Sequence, residues 1–285
     1  MLTDLDRIVV AARYRRPVVQ MFQRVLGAEV VGRDHLPPFW SAERTTLQAG
    51  VSEIEVLEPK GVGAVADFIG RRGPGLFAVG FASADPKEFR AHLETQGVFV
   101  EEHEGQLLLS SDKGADLPGL NLVVTPAKEP ERAGLLQRLC SATLLHRAVE
   151  PEGALLRILG ARSSQLSKVS QAIPGFTGAV IRLGEGLTSH LAIVAPRGNA
   201  TPIGRFFCRH GPGIYLASAT SEKLAAIRER LASLGHAAPT QAADDLLLIP
   251  SRLLGGARLA VFARAAACSR WDVSSPMFDA QRAWG

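Results

Sequence analysis

The sequence is poor in cysteine and aromatic residues and has no long apolar run. Its 285 residues include three cysteines, Cys140, Cys208 and Cys268, which lie far apart and form no Cys-x-x-Cys pair. This spacing indicates neither a disulfide framework nor a structural zinc site, so we predict reduced thiols. No apolar run approaches the roughly 20 residues that a membrane-spanning helix needs, and we expect no membrane partner.

Charge of one sign is not concentrated in any long stretch. The net charge is +4 and the pI is about 9.2, but most cations alternate with acids. A nucleic-acid-binding protein usually carries a basic stripe interleaved with aromatic residues, so we expect no nucleic-acid partner. A tight basic cluster, Arg71 and Arg72, favours a solvated face or, alternatively, attraction of an anionic substrate. The first residues, MLTDLDRIVV, lack the positive charge of a secretory signal, and we expect a cytoplasmic protein.

A repeated phrase is the strongest feature that the sequence does contain. Residues 70–77 read GRRGPGLF and residues 208–215 read CRHGPGIY, 138 positions later. Near the start of the chain, an offset of 139 places Leu5 on Leu144. Self-similarity at a nearly constant offset predicts a duplicated structural unit.

Each copy of the duplicated unit is predicted to contain two successive runs of elements, each in the order β-α-β-β-β. In the first unit, a β-rich run at 5–12 precedes a helix at 16–27, and a strand at 76–82 precedes a helix at 85–97. We therefore predict an α+β fold of tandem βαβββ repeats. The predicted parts are a first module at 1–126, a linker at 127–141, a second module at 142–263 and a C-terminal tail at 264–285.

The order of these phrases resembles a known superfamily. LDRIVVAA followed by VLGAEVV, IEVLEP and FIGRRGPGLFAVGFA is similar to the vicinal oxygen chelate superfamily. That group includes glyoxalase I, methylmalonyl-CoA epimerase, type I extradiol dioxygenases and the bleomycin and fosfomycin resistance proteins. The resemblance covers nearly the whole chain and implies two paired glyoxalase-like modules. In each, a curved mixed sheet would enclose a cup that holds a metal or a ligand.

The resemblance also implies where a metal would be held. The family's ligands are a His on the first strand, a His, Gln or Glu in mid-module and a Glu on the last strand. In the first module Arg7 takes the first-strand position, and Val123 stands near that of the last-strand Glu. Glu53 and Glu55 share one face of their strand because strand side chains alternate. We expect Arg7 to pair with them in place of a metal, or to bind an anion.

When the family's ligand positions are transferred to the second module in the same way, two histidines remain. His146 is predicted at the first-strand position and His190 on the fourth strand, whereas Ala260 stands near the position of the Glu. His146, His190 and Tyr215 are the candidate catalytic residues, because imidazole titrates near neutral pH and a phenol donates a proton. The two histidines are also the candidate metal ligands. The candidate substrate-binding residues are Arg7, Glu53, Glu55 and Phe77.

Three functions remain open at this point. The first is a lyase or isomerase that abstracts a proton next to a carbonyl in the second cup. The second is a metal-free small-molecule binding or resistance protein, favoured by the incomplete ligand set. The third is an extradiol-type ring-cleaving dioxygenase, favoured by the layout but opposed by the missing Glu. The expected cofactor is one divalent metal (Fe, Mn, Zn or Ni) or none. The expected partner is a small molecule, which Phe39 and Trp40 hint is apolar or aromatic, and the chain is a monomer or a homodimer.

Overall fold

The computed structural model describes residues 2–110, 118–129, 131–147, 152–168, 176–184, 189–236 and 245–264. Within these ranges the chain forms two curled mixed sheets, one in each module, with helices packed against them. None of the described helices is both long and apolar enough to cross a membrane.

The first module contains an eight-stranded sheet in the order β2-β3-β4-β1-β5-β8-β7-β6. Its elements are β1 (Leu2–Ala11), α1 (Arg15–Leu26), β2 (Glu29–His35), β3 (Ala42–Ala49), β4 (Ser52–Pro59), α2 (Ala64–Arg72), β5 (Gly75–Ser83), α3 (Pro86–Thr95), β6 (Glu101–His103), β7 (Gln106–Leu109) and β8 (Leu122–Pro126). The central strand β1 runs parallel to β4 and antiparallel to β5. The two predicted βαβββ units are present, and they meet along the β1–β5 pair.

The second module repeats this arrangement in a seven-stranded sheet, in the order β10-β11-β12-β9-β13-β15-β14. Its elements are β9 (Arg138–Leu145), α4 (Glu152–Leu159), β10 (Leu166–Lys168), β11 (Phe176–Leu183), β12 (Ser189–Pro196), α5 (Pro202–His210), β13 (Gly213–Thr220), α6 (Leu224–Ser233), β14 (Leu246–Ile249) and β15 (Leu259–Phe262). Strand β9 runs parallel to β12 and antiparallel to β13, as β1 does to β4 and β5. The predicted α+β fold of paired βαβββ units is confirmed.

Local sequence signals account for the helix ends. The α1 helix buries one apolar face, which includes Phe22, and ends at Gly27, whose φ of 66° lies in the left-handed region. The α3 helix begins at Pro86, and the carboxylate of Asp85 accepts hydrogen bonds from the backbone N–H groups of Lys87 and Glu88, each at 3.0 Å. Such a cap satisfies N–H groups that have no partner inside the helix.

Alternation along the strands separates a helix-side face from a cup face in each sheet. In β1, Ile8 and Val10 join the large core that includes the helices and both modules, whereas Val9 and Ala11 face the other way. We call the residues packed on that opposite face the first cup, which includes Leu57, Phe77 and Val123. The corresponding residues of the second module form the second cup, which includes Leu145, Val194, Tyr215, Leu216 and Ala260.

The predicted linker, the predicted thiols and the predicted tail each compare differently with the structure. Strand β9 begins at Arg138, inside the predicted linker 127–141, because pairing with β12 and β13 extends it toward the first module. Cys208 is free and exposed, but Cys140 is disulfide-bonded, so the prediction of reduced thiols is wrong for Cys140. Apart from residue 264, the predicted tail at 264–285 lies outside the described residues.

Candidate functional site

Strand pairing aligns one residue from each of four neighbouring strands into a row across each cup. In the first cup the row is Glu53 on β4, Arg7 on β1, Gly80 on β5 and Val123 on β8. Arg7 is 1% exposed and points into the cup. A Cβ atom at Gly80 would lie 2.0 Å from Cγ of Arg7, so glycine at this position leaves the space that the arginine side chain occupies.

The predicted ion pairs of Arg7 are present. Its Nη2 lies 3.0 Å from Oε2 of Glu53, and its Nη1 lies 2.5 Å from Oε1 of Glu55. Burial alone would lower the pKa of Arg7, but Asp6, Glu55 and Glu53 outweigh it and raise that pKa. Burial would likewise raise the pKa of Glu53, but Arg7 and Lys128 hold it below its usual value. The first cup therefore contains a charged network where the resemblance implied a metal.

A second arginine extends this network toward the edge of the sheet. Nη1 of Arg44 lies 3.3 Å from Oε1 of Glu55, and its Nε donates to Oδ1 of Asp34 at 2.9 Å. Asp34 also belongs to a cluster with His103 and Glu104, whose potential ligand atoms lie within 4.8 Å of one another. A divalent ion there would have to displace the guanidinium of Arg44 from Asp34. The cluster is thus a poor metal site.

The corresponding row of the second cup is His190 on β12, Ser141 on β9, Ser218 on β13 and Ala260 on β15. His190 is 3% exposed, Ser141 1% and Ser218 2%. Thr143 lies two residues along β9 on the same face and is also buried. Within the described residues, the hydroxyl oxygens of Ser141 and Thr143 are buried and have no hydrogen-bond partner. One imidazole and three aliphatic hydroxyl groups therefore lie on this face of the second sheet, beside the apolar side chains of the second cup.

His146 does not belong to this row, and its predicted correspondence with Arg7 is wrong. Ser141 lies opposite His190 just as Arg7 lies opposite Glu53, so the offset of the first strand is 134 and not 139. The N–H of His146 donates to the carbonyl of Val194 beyond the end of β9. His146 lies five residues beyond Ser141 and one residue past the end of β9. It is therefore not part of the row that contains His190.

The residues present in the second row do not fit a divalent metal. Protein sites for divalent transition metals use three or more ligands, typically imidazoles together with carboxylates or thiolates. The row of the second cup offers one imidazole, two hydroxyl groups and a methyl group. In the row of the first cup, Arg7 occupies the space that a metal would need. The described part of the chain thus provides no complete ligand set in either row, and His146 lies outside the row that contains His190.

Comparison with solved structures agrees with this architecture. A triple mutant of 4-hydroxymandelate synthase from Streptomyces coelicolor is similar over 99% of this chain and 98% of that one, with a TM-score of 0.71 and 13% sequence identity. The chain has the vicinal oxygen chelate fold. No protein-family model matches the sequence, and no curated protein matches it either.

Two further solved structures are similar to parts of this chain. A xylose isomerase-like TIM barrel/4-hydroxyphenylpyruvate dioxygenase fusion protein is similar over 93% of this chain but 49% of that one, with a TM-score of 0.63 and 11% identity. A methylmalonyl-CoA epimerase variant from Streptomyces coelicolor covers 45% of this chain, with a TM-score of 0.37 and 21% identity. The fold follows from the two neighbours with TM-scores of 0.71 and 0.63, and at 13% and 11% identity they leave the reaction to be argued from this chain's own residues.

The repeated GPG phrase lies where the two vicinal oxygen chelate modules meet. A Cβ atom at Gly256, in the loop before β15, would lie 2.2 Å from the carbonyl oxygen of Pro74 in the first GPG turn. A Cβ atom at Gly119, before β8, would lie 2.3 Å from the carbonyl oxygen of Pro212 in the second turn. Each turn thus packs against a glycine of the other module. Gly119 and Gly256 lie 137 positions apart, close to the offset of the GPG phrase, and this spacing is a sequence signal for the reciprocal contact.

Equivalent aromatic residues follow the two turns. Phe77 is 1% exposed and packs edge-on against Trp40, at 4.8 Å between ring centroids, so Trp40 belongs to the first cup. Tyr215 takes the equivalent position in the second module, and its ring lies 5.0 Å from that of Phe206. Burial raises the pKa of Tyr215, although Arg258 opposes the shift. The phenol of Tyr215 is therefore protonated near neutral pH and is able to donate a hydrogen bond.

Proposed function

We propose that the second cup binds a small organic molecule without a resident metal ion. The observation that supports this function is the pair of buried hydroxyl groups, on Ser141 and Thr143, that lack partners within the described residues. A buried hydroxyl group without a hydrogen bond costs about 1–3 kcal/mol of stability. A bound ligand with polar atoms would remove that cost, and His190 in the same row would add a third polar contact.

The remaining lining of the second cup indicates the character of the ligand. Leu145, Val194, Leu216 and Phe262 belong to its buried apolar cluster, together with Ala260. Small-molecule sites combine a mostly apolar wall with a few polar groups that fix orientation. The ligand we expect therefore has an apolar or aromatic body and a polar group, such as a carbonyl, that accepts hydrogen bonds from hydroxyl groups.

His190 favours a second candidate, a lyase or isomerase that abstracts a proton next to a carbonyl. An imidazole is the general base best suited to neutral pH. In such a reaction His190 would take the proton from carbon, and the hydroxyl groups of Ser141 and Ser218 would donate to the oxygen on which charge develops. Tyr215 lies three residues from Ser218 on β13, about 10 Å along the strand, and would contact a more distant part of the substrate. A ring-cleaving dioxygenase is disfavoured, because neither row supplies ligands for iron.

The test begins with ligand binding by the full chain. A set of small carbonyl compounds is screened by thermal shift, with and without a chelator, and hits are quantified by calorimetry. Ser141→Ala and His190→Asn should each weaken binding by about tenfold, the loss of one hydrogen bond. His35→Gln, which removes an exposed histidine from the first module, is the matched control. Loss of binding on chelation, or equal weakening by the control, would contradict the proposal.

Deuterium exchange separates the two candidates. In D2O, a lyase or isomerase exchanges the proton next to the carbonyl of a bound ligand, and the exchange is followed by NMR. The exchange should disappear in His190→Asn and persist in His35→Gln. Binding without exchange or product would leave the binding function and exclude proton abstraction for that ligand.

A further inference from the structure

The two cups differ in the size of the side chains at equivalent positions of their sheets. In the first cup, Arg7 on β1 lies opposite Glu53 on β4. In the second cup, Ser141 on β9 lies opposite His190 on β12. Ser141 therefore takes the position of Arg7, and a small hydroxyl-bearing side chain stands where the first cup has one of its largest side chains.

Two neighbouring positions change in the same sense. Glu55 of β4 corresponds to Ala192 of β12, and Val123 of β8 corresponds to Ala260 of β15. Both alanines are 0% exposed. An alanine side chain ends at Cβ, so each exchange leaves fewer side-chain atoms above the second sheet than above the first.

Strand β13 changes in the opposite sense. Its Ser218 corresponds to Gly80 of β5, and its Leu216 corresponds to Ala78. Leu216 belongs to the buried apolar cluster of the second cup and bounds it on this side. The space left by the smaller side chains is therefore limited on the β13 side and lies over Ser141.

Close packing requires that other atoms take the place of the missing side chains. Protein interiors contain few voids larger than a water molecule. In the first cup, Arg7 fills the space and pairs with two carboxylates. In the second cup, the hydroxyl groups of Ser141 and Thr143 are buried and lack hydrogen-bond partners within the described residues. A ligand that contacts these hydroxyl groups would supply the atoms that Arg7 supplies in the first cup.

We propose that Ala192 and Ala260 limit the size of the ligand that the second cup accepts. This inference rests on the ligand binding proposed above, and it places the polar group of the ligand over Ser141 and its body between the two alanines. The ligand class is then a carbonyl compound with a compact body, comparable in bulk to an arginine side chain. Valine at either alanine position would occupy part of the space that this body needs.

The first experiment tests the space without any ligand. Urea midpoints of the full chain are measured by circular dichroism for Ala192→Val and Ala260→Val. If the space is unfilled, the added methyl groups pack into it, and neither midpoint should fall below that of the matched control. That control is Ala225→Val, because Ala225 is exposed in α6. If other protein atoms already fill the space, the variants are overpacked, and a lower midpoint for either one overturns the proposal.

The second experiment measures binding of acetone and of acetophenone to the same chains by calorimetry. Both cup variants should raise the Kd of acetophenone by about tenfold and leave that of acetone within about twofold, because only the larger body reaches the alanines. Ala225→Val should change neither Kd. A variant that weakens both ketones equally, or neither of them, overturns the size limit.

The two experiments together separate failure of the size limit from failure of the proposed ligand binding. If acetone and acetophenone both bind the wild type but the midpoint of either cup variant falls, the size limit alone is overturned. If neither ketone binds the wild type at millimolar concentration, the ligand binding proposed for the second cup is overturned together with the size limit.

Discussion

Replacement of Arg7 by methionine should strongly destabilise the first module. Arg7 is 1% exposed, and its guanidinium lies 3.0 Å from Glu53 and 2.5 Å from Glu55, both buried. Methionine would leave these carboxylates without their main counter-charge. Removal of one partner from a buried ion pair typically costs 3–5 kcal/mol, and we expect a loss of about 3–5 kcal/mol at pH 7.

The pH dependence of this loss provides an internal check. In the wild type the folded-state pKa of Glu53 is lowered, so its contribution to stability is present above its unfolded pKa and is lost as the pH falls. Without Arg7, burial would raise the folded-state pKa of Glu53, so the variant should lose stability as the pH rises. The difference between the two chains should therefore be large at pH 7 and much smaller near pH 4.

Urea denaturation followed by circular dichroism measures this difference at both pH values. Arg90→Met is the control, because the side chain of Arg90 is 40% exposed and pairs with two exposed carboxylates, Glu94 and Glu102. Exposed ion pairs contribute little, so its midpoint should stay close to that of the wild type. If Arg7→Met and Arg90→Met shifted the midpoint equally at pH 7, the network would not stabilise the first cup.

Two further predictions concern packing and titration. Gly80→Ala should destabilise the chain by about 1–3 kcal/mol in urea, because the added Cβ would lie 2.0 Å from Cγ of Arg7. Gly70→Ala, in α2 with nothing within 4 Å, should not, and equal losses would contradict the packing argument. In a Tyr14→Phe chain, which leaves Tyr215 as the single tyrosine, phenolate absorbance should appear at higher pH in the folded than in the urea-unfolded state, since burial raises the pKa of Tyr215. Coincident titration curves would refute this burial effect.

The sequence predicted the fold because its signals are local and repeated. Alternation placed Glu53 and Glu55 on one face of β4, and the spacing of Asp85 and Pro86 predicted the start of α3. The arginine at the first-strand position likewise predicted the ion pairs of Arg7, because a buried guanidinium needs carboxylates within reach. These features depend on residues close together in the chain or on a repeated phrase.

The second cup was predicted less well, because strand register depends on distant partners. The letters LLH at 144–146 match the first-strand pattern, but β9 pairs with β12 and β13 so that Ser141 lies opposite His190. The offset between modules changes from 134 at the first strand to 137 at the fourth, and no local signal marks that change. The offset of 139 seen near the start of the chain therefore selected His146 and missed Ser141.

The reciprocal glycine contacts have a consequence for how the halves of the chain depend on each other. The carbonyl group of Pro74 packs against Gly256, and that of Pro212 packs against Gly119. The GPG turn of each half therefore needs the other half for its packing. A half produced alone would expose two backbone surfaces shaped for a missing neighbour, and we expect it to dimerise or to precipitate. Substitution of Gly119 or Gly256 should therefore weaken the contact between the halves, because the opposing atom is a backbone carbonyl oxygen that no change of side chain removes.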